Sequence, residues 1–302
     1  MRRKIIQLST NTNVISLPAK WVRRNNLSKG DELELEMTDS SLYVFTTRKP
    51  KKITTVIKIG NDDTLVVWEA VDTAYIKGSD EIMIKYSDPK LLEHIHKVSM
   101  RMLGMAVTEE RKNLCVMKDV GGQNQEDFDV ILKRIFLLIK TVAEEGYAAA
   151  AQGDFDTLVS MKYRDYNINS FSSYCLRSLN KYGYKDDSRA QKLYLIVKQL
   201  ETIGDKYRDL CRYLGKEKIR LGKNSLAYFT AVNDCYETFY KLFYKFNWDE
   251  AKDMIKIRKN MFPEVSSLLK NCKPTEIIAL HYLWEIISLL FDSYETLLVM
   301  EI

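Results

Sequence analysis

The chain predicts a mixed, multi-domain fold: a small strand-rich N-terminal module, an α/β spacer, and a C-terminal all-α region built as tandem three-helix bundles. Three observations carry this prediction. The apolar period is two up to about Phe45 and becomes helical and unbroken from Gln125 onward. The 302 residues, 46% of them apolar, are enough to bury cores for two or three domains. Charge is uneven as well: up to Lys52 there are eleven Lys and Arg against five acidic residues, a net +6, while the whole chain carries +5. The basic excess therefore belongs to the N-terminus, a pattern that suits contact with a polyanion at one end only.

The first elements follow in order. Ile5-Ile6-Gln7-Leu8 and Val14-Ile15-Ser16-Leu17 alternate as strands around the polar turn Ser9 to Asn13. Pro18 suits the first position of a short helix to about Asn26, and Leu27-Ser28-Lys29-Gly30-Asp31 turns the chain. Leu33, Leu35 and Met37 alternate with Glu32, Glu34 and Glu36 in a third strand; Thr38-Asp39-Ser40-Ser41 leads to a fourth, Leu42 to Phe45. About 47 residues of this kind bury too little apolar surface to fold alone, so dimerisation is expected. Met1 to Gly30 hold seven basic residues and no acidic one. Lys20, Arg23 and Arg24 stand at i, i+3 and i+4, on one side of the helix, and a two-fold dimer repeats that side for duplex phosphates.

Ser16-Leu17-Pro18, Trp21-Val22, Leu27, Gly30-Asp31 and the alternating strand after them give residues 1–48 a resemblance to the AbrB/SpoVT family of swapped-hairpin DNA-binding domains, in the form found in archaeal regulators. The resemblance implies an intertwined dimeric β-barrel, a homodimer through this domain, and double-stranded DNA as partner. The loop Ser9 to Asn13 has no Arg or Lys. The DNA contacts then fall to Arg2, Arg3 and Lys4 and to the helix cations Lys20, Arg23 and Arg24.

Arg48-Lys49-Pro50-Lys51-Lys52 has the composition of a linker. In the expected spacer, 49–120, Ile53 to Ile59 is strand-like, Asp63 to Ile76 helical and closed by Gly78, and Glu81 to Tyr86 a strand. A helix is expected from Pro89 to about Val107, then a strand at Leu114 to Met117. His94 and His96, two apart on that helix, do not face each other, and His281 is remote; no metal-binding histidine pattern results.

In 121–302, Phe128, Ile131, Leu132, Ile135, Phe136, Ile139 and Val142 trace one helical face. Breaks at Gly153-Asp154, Tyr182-Gly183, Gly215 to Gly222, Asn247-Trp248 and Lys273-Pro274 predict six long helices in antiparallel bundles. Asp205 and Asp292, and Phe155-Asp156 with Trp248-Asp249, correspond across two repeats of about 121–215 and 222–302. The run Leu200-Glu201-Thr202-Ile203-Gly204-Asp205 fits an E-x-x-x-D motif, and Arg164 to Asn169 forms a second element; through them this half is similar to the PhoU family of phosphate uptake regulators. That resemblance implies divalent or iron-type metal ions at Glu201, Asp205 and Asp292, although Ser288 and Asn169 replace expected carboxylates. Otherwise Glu201 and Asp205 form helix contacts with Lys198 or Arg208. The aromatic run Tyr236, Phe239, Tyr240, Phe243, Tyr244 has helical spacing, fitting a core face or an inter-bundle groove.

The five cysteines are scattered, as expected of free thiols in a reducing compartment. The absence of a long uninterrupted apolar run or signal peptide predicts a cytoplasmic protein with no membrane insertion. Neither a phosphate-cradling loop nor a nucleophile elbow is present, so no catalytic residue and no enzymatic activity are expected. The expected function is a DNA-binding transcriptional regulator of phosphate uptake and homeostasis whose helical domain senses an effector or partner. The alternative is an adaptor that does not bind DNA and restrains a phosphate transporter or its sensor kinase through protein contacts.

Overall fold

A computed structural model describes residues 2–37, 42–46, 52–60, 64–121 and 127–302. The chain forms two compact units, Met1–Lys52 and Ile53–Ile302. The expected turn at Thr38 to Ser41 and the linker stretch Arg48 to Lys51 lie outside the described residues, as do Asp63 and Gln125.

In the first unit, β1 (Ile6–Ser9) and β2 (Thr12–Val14) form an antiparallel hairpin, with Ile6 opposite Val14. The helix α1 (Ala19–Arg24) follows, then β3 (Leu33–Met37) and β4 (Leu42–Thr46), also antiparallel. Pro18 precedes α1 as its N-cap, one position earlier than expected; its fixed φ is compatible with either place, and its carbonyl receives the N–H groups of Trp21 and Val22. The helix ends where Asn26 takes a positive φ of 53° and the Leu27 N–H returns to the Val22 carbonyl. Gly30, at φ +95°, makes the turn into β3, closed by the Ser28 N–H to Asp31 at 2.8 Å. The two hairpins are separate two-stranded sheets, and no described residue of this unit is buried.

The second unit begins with a four-stranded sheet of order β5-β6-β8-β7. Its strands are β5 (Thr54–Ile59), β6 (Glu81–Tyr86), β7 (Met105–Arg111) and β8 (Leu114–Asp119). The pair β5/β6 is parallel and joined through α2 (Thr64–Ile76); the other pairs are antiparallel. The expected helix from Pro89 to Val107 is corrected: α3 covers only Leu91–Ser99, and Val107 lies in β7. Gly104 at φ +79° breaks the helical path, and Asn113 at φ +63° turns β7 back onto β8, so ladder hydrogen bonds outcompete local helix propensity. Ile82, Ile84, Cys115 and Met117 meet Val67, Val71, Ile95 and Val98 in the core beneath the sheet.

The remainder is helical: α4 (Asp127–Gln152), α5 (Phe155–Ser160), α6 (Lys162–Tyr182), α7 (Asp187–Lys216), α8 (Lys223–Tyr244), α9 (Trp248–Asn271) and α10 (Ile277–Glu301). The second expected long helix is interrupted at Met161, giving α5 and α6; Asp154 caps α5 by accepting from the Thr157 N–H at 3.1 Å. Helices α4, α6 and α7 pack on one another, as do α8, α9 and α10, while α7 with α10 and α4 with α8 join the two groups. One continuous core runs through them, containing the predicted α4 stripe. The stretch Pro274–Glu301 is apolar and long enough by composition to cross a membrane, and half of that window is buried against its neighbours.

The sequence places a boundary at 120/121, yet the sheet layer and the helices belong to one compact unit. Ile76 packs against both cores, and α2 lies against α6. Arg177 of α6 is fully buried there and donates to the carbonyls of Tyr75 and Ser79 at 2.9 and 2.8 Å.

Candidate functional site

Of the predicted polyanion contacts, Arg2, Arg3 and Lys4 lie just ahead of β1, and Lys20, Arg23 and Arg24 lie on α1; all six are exposed. Among the described residues, none of the six is paired with a carboxylate. Exposed cations with no internal carboxylate partner are available to neutralise phosphates, which releases the counterions condensed on the nucleic acid. The helix sets the three α1 side chains on one side, about 5–6 Å apart at Cβ by helical geometry. Trp21 and Val22, on another side of the same turn, are half-buried, so the charged side is left to solvent.

The strands beside this helix are unusual for a folded unit. Ile5, Leu8, Leu35 and Met37 are more than half exposed. With no buried residue among those described, this unit cannot offset its own chain entropy through its internal contacts. A second apolar surface is needed to cover these side chains.

The predicted metal residues are placed differently. Glu201 and Asp205 lie on α7 and Asp292 on α10, where Asp292 is exposed. Glu201 is held by Lys198, and Asp205 by Arg208. Arg208 also reaches Asp165 at 2.6 Å and Asp209 at 3.0 Å, so a guanidinium occupies the centre of the carboxylate group. Among the described residues no three His, Cys, Asp or Glu converge to hold a metal. Glu201 and Asp205 thus make the helix contacts with Lys198 and Arg208 that were the other expected reading of these two residues.

Two polar clusters were not singled out from the sequence as sites. Asp165 is buried on α6, and burial pushes its carboxyl up to about 6, with Asp205 adding to the rise and Arg208 opposing it. The signal was present, since Asp165 falls in the Arg164 to Asn169 stretch. The second cluster joins Arg177 and Lys181 of α6 to Asp119, with Lys181 also 2.7 Å from Asp80. Only the tertiary fold brings these residues together; an arginine between Leu176 and Ser178 carries no pattern of its own.

The four cysteines Cys115, Cys175, Cys211 and Cys235 are buried and free, and burial raises the thiol of each. Such thiols are unreactive packing groups.

Comparison with known proteins agrees with the N-terminal geometry. The family described as antidote-toxin recognition MazE, bacterial antitoxin, matches residues 6–54. This fits the AbrB-like reading of the first unit, and the match ends at Thr54, the first residue of β5. No curated protein and no solved structure matches the chain. The chain thus carries a small strand-rich N-terminal domain of MazE/AbrB type, followed by a mostly helical region.

Proposed function

We propose that this protein is a dimeric DNA-binding regulator of phosphate uptake, in which the N-terminal unit grips duplex DNA and the helical region senses an effector or a partner. The observation that carries the DNA-binding part is the set of six exposed, unpaired cations on a domain of MazE/AbrB type. The exposed apolar strand faces support dimerisation, because a second copy supplies the surface they lack. The link to phosphate rests on the E-x-x-x-D run at Glu201 to Asp205 and on the succession of long helices. A metal has no part in this reading, and neither has a catalytic step.

The mechanism follows from the two compact units. An effector that binds the second unit regulates DNA binding only if its affinity differs between the DNA-bound and free states. The α/β layer belongs to the sensing unit because Arg177 fastens it to α6.

The test is binding of the intact protein to duplex DNA over a salt series, with Lys20→Glu, Arg23→Glu and Arg24→Glu combined as the control. Affinity is expected to fall steeply with salt, and the charge-reversed protein is expected to bind weakly to every sequence tried. Failure of the intact protein to bind at low salt would sink the proposal and leave the adaptor reading, in which the basic unit serves only dimerisation. Recovery of crosslinked genomic DNA then tests the phosphate assignment: fragments unrelated to phosphate acquisition contradict it.

A further inference from the structure

Unpaired lysines gather at one end of the helical region. Lys216 ends α7 and Lys218 follows it, Lys223 opens α8, Lys270 stands in the last turn of α9, and Lys273 lies ahead of α10. All five are exposed, and among the described residues none pairs with a carboxylate. At the opposite end of α9, by contrast, Lys252 and Lys256 are held by Asp249 and Asp253.

Tertiary contacts bring these chain turns together. Glu276, buried ahead of α10, accepts from the Gly222 N–H at 3.2 Å and from the Ser225 hydroxyl. The Tyr213 hydroxyl donates to the Thr275 carbonyl at 3.1 Å, which ties the end of α7 to the start of α10. Lys223 and Lys273 line one cleft with Leu268 and Asn271. Against the lysines stand Glu217 beside Lys216 and, at the α4–α5 junction, Asp154 and Asp156, where Arg220 lies over the Phe155 ring.

The same end carries apolar surface. Ile277 and Ile278, the first two residues of α10, are 45% and 46% exposed. Ile277, His281 and Trp284 stand at i, i+4 and i+7 on one stripe of α10, where the His281 and Trp284 rings stack with centroids 6.1 Å apart. Leu280, Leu283 and Ile287 of this helix are in the core, so α10 stays anchored in protein and offers only the stripe to its surroundings.

We propose that this end of the helical region docks on the surface of a membrane containing anionic phospholipids. The five lysines meet lipid phosphates, while Ile277, Ile278 and the Trp284 indole enter the headgroup layer without spanning it. Lysine clusters of this size are drawn to anionic lipid surfaces, each charge strengthening binding by about fivefold. A nucleic acid would engage the charge but give the two isoleucines no role, since its exposed surfaces are phosphates and stacking bases.

The experiment is co-sedimentation of the intact protein, without DNA, with vesicles of phosphatidylcholine alone and of phosphatidylcholine mixed with phosphatidylglycerol. Binding to the mixed vesicles only is expected, and it should persist when Lys20→Glu, Arg23→Glu and Arg24→Glu are combined, because the docking end lies in the other unit. Replacing the five lysines by Gln is expected to weaken binding by at least about a hundredfold. Ile277→Ser with Ile278→Ser, which keeps every charge, is expected to weaken it by about tenfold. Absence of binding to the mixed vesicles, or equal binding by the five-lysine variant, would overturn the proposal. An unchanged Ile277→Ser, Ile278→Ser protein would do so as well, since charge alone would then explain the attraction. Single-stranded RNA retained by the protein with the reversed N-terminal charges and lost with the five lysines would assign this surface to nucleic acid instead. Because the N-terminal cations are varied separately, failure here leaves the DNA-binding test unaffected.

Discussion

Arg177 and Asp119 meet at 2.8 Å, the arginine fully buried and the carboxylate nearly so. The pair joins α6 to the end of β8, and the other terminal guanidinium nitrogen donates to two carbonyls at the end of α2 and just beyond it. Removing Asp119 leaves the buried guanidinium without its carboxylate, whereas removing Arg177 leaves the Tyr75 and Ser79 carbonyls without this donor and Asp119 with Lys181 alone. Asp119→Leu is expected to cost about 3–5 kcal/mol, the usual penalty for an orphaned buried charge, and Arg177→Met less, because Asp119 then keeps Lys181. Urea unfolding of the full chain measures both, and the double variant Arg177→Met with Asp119→Leu should recover part of the larger loss.

The two carboxylate clusters give opposite pH dependences. Burial alone would raise Asp119, but hydrogen bonds from Lys181 and Arg177 outweigh it and hold the carboxyl below its ordinary value; Asp80 behaves alike through Lys181 and the Ile53 N–H. Their stabilisation is complete above the unfolded value of about 3.9 and is lost as pH falls through the lower folded value. Asp165 runs the other way: burial lifts it to about 6, so its contribution is lost as pH rises from the unfolded value to that point. Between about pH 4 and 6, wild type should therefore lose stability relative to Asp165→Asn. Paired unfolding curves across this range check the sign.

Leu8 and Leu35 project from the strands of a unit without a buried residue among those described. Leu35→Lys is expected to weaken self-association by about tenfold or more. Sedimentation over a concentration series reads this, and an unchanged dimer would mean that the strand faces are not the interface.

The α1 cations have a separable signature. Each DNA phosphate that the protein ceases to neutralise makes the slope of log affinity against log salt shallower by about 0.9. Replacing Lys20, Arg23 and Arg24 by Ala should flatten the slope by between one and three such steps, whereas weakened binding to a single DNA sequence would indicate base reading.

Gly215 marks a close approach of α7 to α5. A Cβ there would stand 2.8 Å from Val159 Cγ2 and 2.9 Å from the Phe155 carbonyl. Ala is the better helix former by about 1 kcal/mol, so a loss of about 1–3 kcal/mol in Gly215→Ala would show that crowding outweighs propensity. Thermal unfolding gives the sign directly.

Much of this was legible in the amino-acid order because the signals are local. The alternation of Leu33, Leu35 and Met37 marks β3, and the three-and-four spacing of Phe128 to Val142 marks α4. The basic side of α1 follows from helix geometry alone, since Lys20, Arg23 and Arg24 share a face wherever the helix sits. Glu201 and Asp205 were also visible, but their partners depend on which rotamers and neighbours prevail, and Lys198 and Arg208 hold them.

What the tertiary structure decided is non-local. The strand β7 exists because β8 pairs with it, which no helix propensity over His94 to Val107 reveals. The union of the sheet layer with the helices depends on Arg177 reaching Tyr75, Ser79 and Asp119, partners 102, 98 and 58 positions away. Burial in that setting also fixes the charge behaviour of Asp165 and leaves Arg189 Nε without an acceptor among the described residues. By itself, the sequence determined most of the elements, β7 and the break between α5 and α6 excepted, and the basic face, because period and helical spacing act within a few residues. Packing determined the domain boundary and the polar clusters, because desolvation and ion pairing depend on groups that only the folded chain brings together.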